Sequence, residues 1–516
     1  MMDSARKAPP TVGAGPRRRR EEVGLLKPGL TLALLVLLLW QTVALGATVL
    51  EGYTEAYLLL NGESRVWRFD NPQFLGELRV KSTPWPDTEG FLKVQGLSNK
   101  WDGATWENFF FLKEGHLKYR GNRVETLLFT GQDRFWLNEP LLRIVNNDII
   151  KDDDYGPKAQ GVRLDFWGVW GLTGTAFYSD KSTGYPSVGN LHFPWGNTAA
   201  KPDTVSTEDY RGARLKRQVL AERIILGATY GRKDYSSGAR DYDEVATADF
   251  EVALGTLASE LSRFGRITVV GEGGKNFSGW LGDRDPYGWK LEVRDVGYGP
   301  LSMIGSLYDF DPDFYTIGLA QDNVWRNDFH GHYLEINYRV PRKAINLKGW
   351  RYRDKPHTFT IENQPREETG GEVYVEFVHG FVGKTEYKRY MDKNGTWPNV
   401  LFEVAGENKL VKVRTQFRIK DIGTDYQVRV FGFEANANLT DQWKFYSRLL
   451  TVDERTESRE TVFAQLQYTG WNSAEFFLEF GDWGQSNDLA YTDWFIDHTN
   501  GDNTRRQFKA FLKLYY

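Results

Sequence analysis

The chain of 516 residues contains no cysteine. That excludes a disulfide scaffold, thiolate metal sites and a cysteine nucleophile. A marked excess of charge of either sign is also missing. There are 65 Lys+Arg against 69 Asp+Glu, where a nucleic-acid binder would carry a basic excess or stripe. No nucleic-acid partner is expected. Beyond residue 47 no apolar run is long enough to cross a bilayer as a helix. Tandem repeats, Pro/Ser linkers, Gly-x-Ser-x-Gly elbows, His-Glu-x-x-His runs and phosphate loops are absent too. No catalytic residue can be named, so the expectation is a protein that is not an enzyme.

What is present starts at the N-terminus. Residues 1–29 are polar and basic, with four consecutive arginines at 17–20. An apolar run of 11 residues follows from Leu30 to Trp40, then the small-residue stretch Ala44-Leu45-Gly46-Ala47. This is the order of a secretory signal peptide, with cleavage expected after Gly46. The expected domains are therefore 1–46, removed on export, and 47–516, a single unit.

That unit alternates. In residues 409–420, Val411, Val413, Thr415, Phe417 and Ile419 fall on one face, and Lys412, Arg414, Gln416, Arg418 and Lys420 on the other. Successive side chains of a strand point to opposite faces, so this segment is apolar on one side and charged on the other. The same pattern recurs at 74–81, 161–167, 289–296, 331–340 and 461–468. A mean hydropathy of −0.52 does not oppose a membrane location, because a barrel shows lipid only every second residue. The 18 Trp, 26 Tyr and 32 Phe suit either membrane interfaces or a carbohydrate cleft. At roughly 25 residues per strand and connection, the chain would form about 16–20 strands of a large antiparallel transmembrane β-barrel. Residues 168–171 and 421–424 read as short turns. Residues 146–158, 179–211, 273–288 and 341–358 read as long loops, with turns expected at one end of the barrel and loops at the other.

The last strand reads Phe508-Lys509-Ala510-Phe511-Leu512-Lys513-Leu514-Tyr515-Tyr516, with Phe508, Ala510, Leu512, Leu514 and Tyr516 on one apolar face. Here the sequence resembles bacterial outer-membrane β-barrel proteins. The resemblance implies that Phe508, Leu512, Leu514 and Tyr516 are an assembly signal read by the barrel assembly machinery. It also implies a bacterial outer-membrane location among lipid and lipopolysaccharide. Gly131-Gln132-Asp133-Arg134, with the strand at 161–167, is similar to the Gly-Arg-Gln segment and Gly-Val strand of alginate-export-like porins. The arginine is displaced, so the resemblance carries over the barrel and the channel role, not the substrate.

The candidate site is a basic track on the lumen wall: Arg79, Lys81, Lys412, Arg414, Arg418, Lys420, Arg429, Lys509 and Lys513. Such a track would favour anions. The competing reading is that acids such as Glu77, Glu434 and Glu475 neutralise it as an ion-pair lattice. Asp309, Asp311 and Asp313 are weak candidate ligands for Ca²⁺; no other cofactor is expected. His330 and His332, two apart, lack an evident third metal ligand. Residues 179–211, with Tyr185, His192, Phe193 and Trp195, would be external or would fold inward as a constriction. These features point to a porin passing small hydrophilic solutes, anions or sugars among them, with a homotrimer among the assemblies open to it. The alternatives are a secreted soluble β-protein acting on carbohydrate and a non-conducting envelope barrel.

Overall fold

The computed structural model describes residues 48–516 except 64–65, 70–72, 102–105, 133–136, 145–158, 181–207, 221–222, 236–240, 279–280, 282–283, 316–327, 359–363, 379, 393–394, 456–457 and 482–505. The expected signal peptide lies outside these residues. The alternating segments form strands, each hydrogen-bonded antiparallel to the next in the chain. The circle closes where Arg506–Tyr515 pairs with Thr48–Glu63, in register from Tyr53 with Tyr515 to Gly62 with Arg506. At this seam the backbones of Gly52 and Tyr516 exchange two hydrogen bonds, of 2.8 and 3.1 Å. A Cβ on Gly52 would stand 2.5 Å from the Tyr516 ring, so the closure needs glycine there.

Twenty-five strand segments are formed among the described residues. Val66–Phe69 and Gln73–Ser82 pair with successive parts of Thr48–Glu63 and are two halves of one interrupted strand. The barrel therefore has 24 strands, more than the expected 16–20. The shortfall has an identifiable cause. Residues 341–358 do not form a long loop: they hold a tight turn and the strand Ile345–Pro356. Its outer positions Arg351, Arg353 and Lys355 are charged, which hides the alternation. The expected loops at 179–211 and 273–288 likewise lose their ends to strands.

The register sorts the side chains into two faces. Leu334, Ile336 and Tyr338 stand in line with Arg351, Gly349 and Leu347 on the outside, while Glu335 and Asn337 face Trp350 and Lys348 inside. Outer apolar residues such as Leu215, Leu226, Phe250, Phe402 and Val462 are exposed on the isolated chain. Near the end that carries both termini, the outer face shows Tyr119, Trp170, Tyr298, Tyr338 and Trp471. Tyr230, Trp289 and Tyr387 stand toward the other end. An apolar band between aromatic girdles is the outer surface of a transmembrane barrel. Closure leaves no backbone edge unpaired in lipid, which only helices and closed barrels achieve. No helix among the described residues is long and apolar enough to cross a membrane. A single-chain antiparallel barrel of even strand number and this size belongs to the bacterial outer membrane.

Connections divide by end. On the side of the termini they are short, as at 299–300 and 472–473. The exception is 254–267, where the short helix Leu254–Leu257 and the 3₁₀ turn Ser262–Phe264 sit. The longer connections all lie at the opposite end. Residues 421–424 are a tight turn as expected, but they belong to that loop end, between Val411–Lys420 and Val428–Asn438.

Candidate functional site

The lumen wall carries most of the expected basic track. Arg79, Lys81, Lys412, Arg414, Arg418, Lys420, Lys509 and Lys513 occupy inner positions. Arg429 does not. It stands in register with Ile419, one residue out of phase with Lys420, and so points outward, where its guanidinium lies 3.9 Å from Asp453. Alternation restarts in every strand, and only the pairing register fixes which parity faces in.

Acids lie beside several of the inner cations. Arg79 pairs with Glu77 at 2.6 Å, Lys81 with Glu51 at 2.8 Å and Arg414 with Glu403 at 2.6 Å. Lys509 pairs with Glu479 at 3.4 Å, and Lys412 with Glu407 at 3.8 Å. Lys513 lies 3.9 Å from the centre of the Tyr53 ring. Much of the wall is therefore a lattice of ion pairs, while Lys420 has no such partner among the described residues. Glu407 stands directly opposite Lys412 and Glu479 opposite Lys509, Glu51 and Glu403 reach Lys81 and Arg414 diagonally, and Glu77 reaches Arg79 two residues along the same strand.

The most heavily built part of the lumen was not named from the sequence. Between the strands Val124–Gln132 and Ala159–Val169, residues 137–144 fold into the barrel. Leu137, Leu142 and Ile144 are fully buried, with 0–1% exposure, in a part of the chain that joins two strands at the loop end. They pack in one cluster with lumen-facing Phe129, Phe177, Tyr210, Val245 and Phe310. Each such side chain is worth roughly 1.5–3 kcal/mol when fully buried. A polar lumen has no use for such a patch unless something covers it, and this segment does.

The segment is also pinned by its backbone. The N–H groups of Leu141 and Leu142 donate to one carboxylate oxygen of Glu272, at 2.9 and 2.7 Å. The other oxygen accepts from the Thr247 hydroxyl at 3.0 Å. Glu272 comes from Thr268–Asn276 and stands in register with Asp249, which Arg214 holds through two hydrogen bonds of 2.6 and 2.9 Å. The Arg214–Asp249 pair is 3% exposed on both sides, and Thr229 accepts from the same guanidinium. Gly212 leaves the space above: a Cβ there would stand 2.7 Å from the Phe177 ring and 3.0 Å from Leu137. The sequence signal for this site was the apolar cluster Leu137, Leu141, Leu142 and Ile144 in a connection between two strands.

No protein-family model matches the chain, and no curated protein matches it. Solved structures match it in fold. A chain of the E. coli P pilus tip assembly intermediate PapC-PapD-PapK-PapG, in its second conformation, superposes with a TM-score of 0.52 at 10% identity. The match covers 90% of this chain and 60% of that one, so this chain spans about three-fifths of that relative's length. The P pilus usher (PapC) translocation pore gives a TM-score of 0.42 at 9% identity, covering 90% of this chain and 99% of that one. The siderophore receptor PirA from Pseudomonas aeruginosa gives 0.44 at 9% identity, covering 90% and 80%. At these identities the likeness is one of fold.

The remaining candidates are placed as follows. Asp309 faces outward and meets the His357 ring at 2.7 Å, Asp311 accepts from the Asp313 backbone, and Asp313 pairs with Arg284 at 2.6 Å. The three carboxylates are thus committed to different partners. Among the described residues no group of three or more His, Asp or Glu is placed to hold a metal. His330 and His332 both face outward, and the His330 ring lies tilted against that of His357, with ring centres 4.9 Å apart. Phe508 and Leu514 face outward on the closing strand, as does Leu512 by its register with Ala56. Asp133, Arg134, Tyr185, His192, Phe193 and Trp195 lie outside the described residues.

Proposed function

We propose that this barrel is an outer-membrane transport channel for hydrophilic solutes, acting without covalent chemistry, and that residues 137–144 narrow its bore. The observation that carries the reading is the anchoring of an inward-folded segment on a charged lumen wall through Glu272. A barrel serving only as a structural shell has no need of a polar interior or of a connection packed into it. The charge-balanced wall supports passage of small polar solutes with little preference for one sign of ion. Export of an alginate-like polymer has no support of its own among the described residues.

The test is conductance of the purified protein in planar bilayers. Stepwise openings are expected, with a reversal potential near zero under a KCl gradient. Folded barrels that insert and never open would overturn the channel reading.

A further inference from the structure

One cavity on the lumen wall takes no part in the anchoring. It has a volume of about 950 Å³ and lies near the loop end, against strands Arg366–Val378 to Val411–Lys420 and the connection after them. That is within the range of ligand cavities, about 300–1,000 Å³. Two rows of register build it. Tyr390 stands opposite Trp397, and Lys388 opposite Asn399, with Lys420 one strand further on. The Tyr426 ring, 71% exposed, closes the side, its centre 5.9 Å from that of Trp397 at an angle of 67°.

The lining is mixed in charge. Three cations, Lys388, Arg418 and Lys420, meet four carboxylates, Glu368, Glu386, Asp392 and Asp421. The carboxylates are already partly used. Glu368 accepts from the Trp350 indole at 2.7 Å, Asp392 from the Trp397 indole at 2.9 Å, and Glu386 pairs with Lys384 at 3.1 Å. Burial lifts the Asp421 carboxyl above its ordinary value, against the pull of Lys420 next in the chain and with help from Asp392. Lys388 and Lys420 form no ion pair among the described residues. Their ammonium groups are donors without a fixed acceptor, and each carboxylate keeps acceptor sites.

A small ion of either sign gains little from such a wall, because three cations and four carboxylates stand together in it. A ring that carries hydroxyl groups gains from all of it. Its hydroxyls accept from the lysines and donate to the carboxylates, and its C–H faces lie against aromatic rings that are apolar in body and polar at the tip. We infer that this cavity is a binding subsite for a neutral sugar, at the mouth where an external solute first meets the lumen. The inference rests on the transport reading and names a solute class for it.

The experiment is calorimetric titration of the detergent-solubilised full chain with maltotriose, glucuronate and glycylglycine, with conductance recorded on the same preparation. Saturable binding of maltotriose is expected, weakened at least tenfold in Trp397→Ala and in Tyr426→Ala. Tyr426 is exposed, so its variant keeps the test valid if the Trp397 variant fails to fold. Tighter binding of glucuronate or glycylglycine, or unchanged maltotriose binding in a folded Tyr426→Ala, would overturn the subsite. No sugar binding by a conducting protein would overturn the subsite and leave the channel. Binding by a barrel that never conducts would overturn the channel and leave the subsite.

Discussion

Glu272 shows how one carboxylate can position a whole segment. It spends three of its acceptor sites, two on consecutive backbone N–H groups and one on Thr247. Removing it strands two buried donors, at about 1–3 kcal/mol for each group left unsatisfied. Arg214 and Asp249 form the neighbouring layer, and both are nearly inaccessible. Arg214→Met would leave Asp249 charged and unpaired beside Glu272, a loss of about 3–5 kcal/mol. A clear fall in the thermal unfolding midpoint in detergent is expected, and an unchanged midpoint would mean the pair contributes nothing. None of this was legible in the sequence. Glu272 sits between two glycines, Gly271 and Gly273, and nothing in its strand says which connection it will meet from across the barrel. Alternation put Arg79, Arg414 and Lys509 on the polar face of their strands, and the register turned that face inward. Glu77, the partner of Arg79 on its own strand, was among the acids named, but Glu403 and Glu479 were not assigned, because a partner on a neighbouring strand is set by register, which the sequence does not display.

At the scale of elements, alternation was the reliable signal and length the unreliable one. Val411–Lys420 and Tyr287–Tyr298 were readable because their two faces differ sharply in polarity. Ile345–Pro356 was not, since the outer face of its loop half, Arg351, Arg353 and Lys355, is more charged than its inner face, Trp350, Tyr352 and Asp354. Strands that project beyond the apolar band lose the contrast that identifies them. The inward segment was missed for a related reason: residues 137–144 have no period of either kind, and their apolar side chains serve one cluster inside the lumen. The native chain has no cysteine, so a single introduced thiol reports one position cleanly. Ile144→Cys should resist a membrane-impermeant thiol reagent in the folded barrel and become reactive when combined with Glu272→Ala. Equal reactivity in both would mean that Glu272 does not hold the segment.

At the scale of the molecule, an apolar outside, a charge-paired inside and a covered apolar patch divide the labour. The outside fixes the chain in lipid. The ion pairs offset much of the wall's charge, so the permeability ratio of potassium to chloride should lie near one. A strong preference for chloride would restore the uncompensated basic track. The inward segment occupies bore that a 24-stranded barrel would otherwise leave open.

The most direct test compares single-channel conductance of the wild type and Glu272→Ala in planar bilayers. The segment should loosen in the variant, so stepwise openings are predicted in both proteins, with a larger unit conductance in the variant. Equal conductance in two folded proteins, or no openings in either, would contradict the account.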